Sequence, residues 1–212
     1  MKRFLFALLI ICSSHLSARA QYDYNSPYMT FELIRAAASY DHTLMEVMIP
    51  VIKDIRDKYN NGQYNDCIEA VDFTFDNVTF YERNYNIYSW LHYYRGMSYL
   101  QLDYEETGIG NLVKAKDEQN EEAYKALQQY FMNHMEKAIN DLSDNYYSSC
   151  INHINRAKST TLYNYQLYEV EGMAFEGMCR FDDAKKSYRL AKKHGSPNTK
   201  AIMKQLKIHK KE

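Results

Sequence analysis

Tyr168–Lys193, YEVEGMAFEGMCRFDDAKKSYRLAKK, reads as two short helices joined by a turn. Tyr168, Gly172 and Phe175 recur at steps of four and three and share one helical face. Phe181, Ala184, Tyr188 and Ala191 make a second face with the same steps, and Cys179-Arg180 lies between the two. His194-Gly195 stops the second helix, because glycine accepts the left-handed conformation at a helix end. Ser196-Pro197 then opens a further helix, with serine as cap and proline in the first turn. Small residues (Gly172, Ala184, Ala191) alternate with large ones (Tyr168, Phe175, Phe181, Tyr188), which lets two helices approach closely with the gaps filled.

The same unit recurs upstream. Pro50 to Tyr59 forms a first helix starting at the proline, Asn60–Tyr64 a turn, and Tyr64, Cys67, Ile68 and Val71 a second helix. Tyr85, Trp90, Tyr93, Gly96 and Tyr99 build the next first helix. Asp103 with Glu106 forms a capping box for its partner, in which Gly108 and Gly110 each cost helix stability unless close packing explains them. Asn120–Leu142 is the longest regular pattern, followed by the turn Asn145–Tyr147 and a partner through Cys150, Ile151, Ile154 and Ala157. The small positions of the second helices are Cys67, Thr107 or Gly108, Cys150 and Ala184. Glycine (7) and proline (3) are scarce, and alternating β-branched runs are absent, so the expected class is all-α.

The last unit resembles a tetratricopeptide repeat. Tyr168, Gly172, Phe175, Ala184, Tyr188, Ala191 and Pro197 match that family's signature in order. Glu171 stands where the family prefers leucine, Cys179 where glycine is usual, and Pro197 comes one residue late. The resemblance implies about four degenerate helix pairs over residues 50–195, stacked as a short right-handed superhelix, an α-solenoid. A repeat array needs polar terminal caps. Residues 21–49 supply a linker and a capping helix with the stripe Phe31, Ile34 and Ala38, and residues 196–212 a basic capping helix with Ile202 and Leu206 facing inward.

Met1–Ala20 has the three parts of a secretory leader: Lys2-Arg3, the apolar run Phe4–Cys12, and Ala18-Arg19-Ala20 as the cleavage signal before Gln21. The apolar run is too short to span a bilayer. The expected location is therefore outside the cytoplasm, periplasmic or secreted. Cleavage leaves Cys67, Cys150 and Cys179, an odd set that cannot pair completely and is expected to be small buried residues.

Charge is unevenly placed. Residues 21–184 carry twice as many acidic as basic groups, whereas Lys185 to the C-terminus carries ten basic and one acidic. With few aromatics among those lysines, nucleic-acid binding is not expected. Contact with an acidic membrane surface or an acidic partner fits better. No HExxH, phosphate loop, CxxC or G-x-S-x-G is present, so no catalytic site, metal or cofactor is expected. The histidines, His134 and His153 among them, read as partly exposed helix residues. The acidic pairs Glu105-Glu106, Glu121-Glu122 and Asp182-Asp183 sit in first turns, where they suit the helix dipole.

In the tetratricopeptide family the first helices line a concave groove for a peptide or partner helix. Carried over by register, the resemblance assigns Arg56, Tyr59, Trp90, Tyr93, Met97, Met132, Met135, Glu169, Met173 and Glu176 to that groove. Tryptophan, tyrosine and methionine suit interface centres. The expected function is a scaffold that binds a protein or peptide. The alternatives are an accessory subunit whose active site needs another chain, and a self-associating structural protein.

Overall fold

A computed structural model of the chain describes residues 44–77 and 85–209. The expectations for the leader, for the helix from Pro27 to Tyr40 and for Thr43 as a cap lie outside the described residues. The described residues are helical throughout, apart from turns, and the all-α class is observed. The chain divides after Asn120 into two compact units.

The first unit contains α1 (Leu44–Asn60), α2 (Tyr64–Asn77), α3 (Tyr85–Gln101) and α4 (Glu105–Asp117). The second contains α5 (Glu121–Ser143), α6 (Tyr147–Ser159), α7 (Tyr165–Gly177), α8 (Phe181–Lys193) and α9 (Thr199–His209). Neighbours in sequence pack as hairpins, α1 with α2, α3 with α4, α5 with α6 and α7 with α8. Within each unit the first helices of successive hairpins also touch, α1 against α3 and α5 against α7.

Each hairpin closes through a three-residue turn whose central residue is left-handed: Gly62 (φ 75°), Asp103 (φ 63°), Asn145 (φ 62°) and Cys179 (φ 58°). The third turn residue donates its N–H to the carbonyl five residues back in every case: Gln63 to Lys58, Tyr104 to Tyr99, Tyr146 to Asp141 and Arg180 to Phe175. This is the Schellman closure, which satisfies carbonyls that the helix end leaves unpaired. Only one of the four positions holds glycine. Asp103 and Asn145 are types that tolerate this conformation, and Cys179 is not. Asp103 is therefore not a helix cap, as the sequence suggested. Tyr104 occupies the N-cap of α4, and no side chain bonds to the helix there. Cys179 is likewise exposed on its turn, contrary to the expectation of burial.

Pro50 lies inside α1 and does not start it. The buried stripe Met48, Val51, Ile55 runs past it at steps of three and four. Burying those side chains contributes roughly 1.5–3 kcal/mol each, enough to offset the cost of about 3 kcal/mol for an interior proline. Cys67 and Val71 of α2 and Ile87, Leu91 and Tyr94 of α3 complete that core. The first hairpin thus begins at Leu44, inside the region the sequence assigned to the cap. The small position of α4 is Gly108, which is buried, while Thr107 is exposed. Gly96 and Gly108 pack backbone to backbone, since a Cβ on either would lie about 3 Å from the other's carbonyl oxygen. Gly110 has open space around it. Gly110→Ala is expected to raise stability by about 0.5–1 kcal/mol through helix propensity, measured as a higher urea midpoint.

In the second unit Phe131, Met135 and Ala138 meet Cys150, Ile154 and Ala157, and then Leu167, Tyr168, Val170 and Ala174. Glu171, the departure from the family's leucine, is buried between helices. Lys158 of α6 pairs with its Oε1, and Ser187 of α8 donates to its Oε2 at 2.9 Å. A buried carboxylate here is held by one charge and one hydroxyl from the two helices that flank it. α9 begins at Thr199, later than Ser196-Pro197 suggested. Ser196 instead ends α8, its N–H bonded to Ala191 O at 3.0 Å. Ile202 and Leu206 of α9 pack on Ala184 and Tyr188, the inward face read from the sequence.

Candidate functional site

Among the described residues, each unit carries a concave surface between the first helices of its hairpins. In the first unit Met48, Ile49, Ile52, Lys53 and Arg56 of α1 and Ile87, Trp90 and Tyr94 of α3 line a groove of about 580 Å³. Ile49 is 60% exposed at its rim, and Met48 and Ile87 are buried. The aromatic floor is braced from behind. Trp90 stacks on Tyr94 at 5.7 Å and meets Tyr93 edge-on at 5.5 Å, while Tyr59 packs on Tyr94 at 5.9 Å and on Tyr64 at 5.7 Å. Such tilted pairs hold ring orientation beyond simple burial. Burial, with the neighbouring Tyr93, pushes the Tyr94 hydroxyl up to about 12, so it stays protonated at ordinary pH. Lys53 and Arg56 are exposed, and Arg56 approaches its neighbour Asp57 at 3.4 Å. The groove is thus apolar at its base and cationic along the α1 side.

In the second unit a smaller groove of about 390 Å³ is lined by Gln129, Met132, Asn133, Glu136, Ile139 and Asn140 of α5, with Asn164 and Gln166 at the entry to α7. Met132 is 56% and Ile139 47% exposed. Gln129 donates to Asn133 Oδ1 at 2.8 Å, and Asn164 caps α7 by accepting from Leu167 N at 2.9 Å. Carboxamides can both donate to and accept from a peptide backbone.

Of the residues assigned by register, Arg56 and Trp90 line the first groove, and Tyr59 and Tyr93 support its floor. Met97 is half-buried on α3 away from that lining. Met132 lines the second groove. Met135 touches it but belongs to the core, with 5% exposed, where it packs in one cluster with Ala138, Cys150 and Ile154. Glu169 and Glu176 are engaged from the C-terminal side, where Ser196 donates to Glu169 and Tyr188 donates to Glu176 at 2.9 Å. Met173 is 40% exposed on α7 and lines neither groove. Ile49, Ile52 and Lys53 were not singled out in the sequence. Ile49 was hidden by placing the helix start at Pro50, whereas Ile52 and Lys53 lay within the helix read from the sequence but outside the carried-over register.

The sequence also missed a histidine pair, one member of which is buried. His134 of α5 is 6% exposed and not solvated as expected, and its Nδ1 lies 2.9 Å from Nδ1 of His153 on α6. His92 is half-buried, with Nδ1 3.2 Å from Asn111 Oδ1, and burial lowers its pKa. Cys67 and Cys150 are buried as expected, and burial pushes both thiols up, Cys150 to about 11, so neither is a nucleophile at neutral pH. Among the described residues no three histidine, cysteine or carboxylate side chains converge to hold a metal ion, and no helix is long and apolar enough to cross a membrane. Comparison with protein-family models, with curated proteins and with solved structures finds no match.

Proposed function

We propose that the chain is an exported helical-repeat scaffold of the tetratricopeptide kind, and that it holds a protein or peptide segment in the grooves between first helices. The observation that carries this reading is the first groove, where exposed Ile49 and the partly buried Ile52 and Trp90 form an apolar trough flanked by Lys53 and Arg56. A ligand segment with a few large apolar side chains and an acidic flank complements it. The four equivalent turns and the first-helix contacts within each unit support a repeat architecture. The leader read at Met1–Ala20 supports export, and the lysine-rich C-terminus would add contact with an acidic surface. The role is binding, with no reaction assigned to the chain.

Trp90 is the chain's one tryptophan and lines the groove, so its fluorescence reports occupancy directly. A partner recovered from the envelope fraction of the source cell should shift Trp90 emission on titration. The double variant Ile49→Asp, Arg56→Glu changes two exposed side chains and is expected to weaken that binding at least about tenfold, with an unaltered far-ultraviolet circular dichroism spectrum. Undiminished binding by a folded double variant refutes the groove as the contact surface.

A further inference from the structure

The two facing nitrogens of the histidine pair, His134 Nδ1 and His153 Nδ1, are 2.9 Å apart, and the ring centroids are 5.2 Å apart. That centroid distance is about what the nitrogen separation and one ring radius on either side add up to. The two lone-pair directions therefore point at each other along one line. A shared hydrogen fits between them. A metal ion does not, because chelation needs the two directions to converge beside that line at about 2.0–2.1 Å from each nitrogen.

One hydrogen satisfies both atoms, as donor on one ring and acceptor on the other. Two hydrogens facing each other across the same gap repel. On the far side of His153, the Asp141 carboxylate stands 3.7 Å from Nε2, and its buried Oδ2 has no hydrogen-bond partner. Its negative charge favours a hydrogen on that nitrogen. The Tyr130 ring lies 4.3 Å from the His134 ring. Lys137 of α5 and Arg156 of α6 add positive charge nearby. From α7, Glu171 acts on Cys150, just before His153 on α6, and its charge is answered by Lys158.

We infer that His134 and His153 form a one-proton latch between α5 and α6, which opens when acid puts a hydrogen on both facing nitrogens, making the second unit a pH-sensitive element of the chain. Desolvation first, then the charges of His153, Lys137 and Arg156, lower the His134 pKa from its ordinary 6.5 to about 4. Between those values the unfolded chain binds the proton and the folded chain does not, so stability falls as pH drops through that window and levels off below it. α5 also carries Met132, Ile139, Gln129 and Asn133 of the second groove, so the proton reaches that surface through a single helix. The latch stands whether or not that groove holds a ligand.

His134→Gln keeps a neutral hydrogen-bonding side chain that takes no proton. In thermal denaturation of the full chain, the wild-type midpoint is expected to fall between pH 7 and pH 4.5 by about 5–10 °C more than that of H134Q. Parallel pH dependences overturn the latch. Independently of any variant, imidazole resonances of the wild-type protein should include one that does not titrate until below pH 5. Titration of every histidine above pH 6 overturns it as well, and this second measurement decides alone where H134Q does not fold.

Discussion

Gly96→Val is expected to destabilise the first unit by about 3 kcal/mol, at the upper end of overpacking effects. A Cβ at Gly96 would lie 2.9 Å from the Gly108 carbonyl oxygen and 3.0 Å from the Leu112 backbone nitrogen. Both obstacles are main chain, so no rotamer change relieves them, and α3 and α4 must separate. Separation exposes part of Leu112 and Ala115, which are fully buried against this contact. The branched side chain is asked to fit where even one carbon is tight. Urea denaturation followed by Trp90 fluorescence reads this unit directly. A loss below about 1 kcal/mol, within the range of an ordinary surface change, would mean that the helices are not in backbone contact. Gly110, in the partner helix α4 but facing open space, is the internal control with the opposite sign.

Tyr188→Ala should cost about 3–5 kcal/mol, the range for removing a buried aromatic ring. Tyr188 is 1% exposed and fills the space over Gly172, where an added Cβ would come within 2.4 Å of the ring. It also packs with Ala184 and Leu206, and Phe175, Phe181, Ile202 and Met203 close round them. No neighbour can refill the volume, because the facing position is a glycine. Its hydroxyl donates to Glu176 at 2.9 Å, and burial followed by that carboxylate raises its pKa. Tyr188→Phe removes only this bond and is expected to cost about 1 kcal/mol. Circular dichroism during urea denaturation distinguishes the two substitutions. Equal losses for phenylalanine and alanine would show that the hydroxyl, and not the ring, holds α7 to α8.

The helices were legible because the period of the apolar residues is a local property. Cys150, Ile154 and Ala157, or Ala184, Tyr188 and Ala191, mark their faces without knowledge of what packs on them. What was not legible depends on distant partners. Pro50 reads as a boundary until Met48, Val51 and Ile55 are seen in one core. Asp103 reads as a cap, because aspartate serves both as a cap and as a left-handed turn residue, and only the turn geometry separates the two. Glu171 reads as a misfit until Lys158 and Ser187 reach it from two other helices. For the grooves, Arg56 and Trp90 were legible by register, but Ile49 needed the true start of α1. The His134–His153 pair left no local mark, since its members are 19 residues apart on facing helices.

The joints within the hairpins have a consequence for how such a chain ages. Each is closed by main-chain bonds from the same relative positions, while the side chain at its centre is glycine, aspartate, asparagine or cysteine. A hinge made of backbone asks little of the residue it is written in. Substitutions can accumulate at these corners, each at modest cost, and the angle between the helices is inherited unchanged. Kinship between such proteins would then persist as a shared way of turning long after the letters that once recorded it have been overwritten.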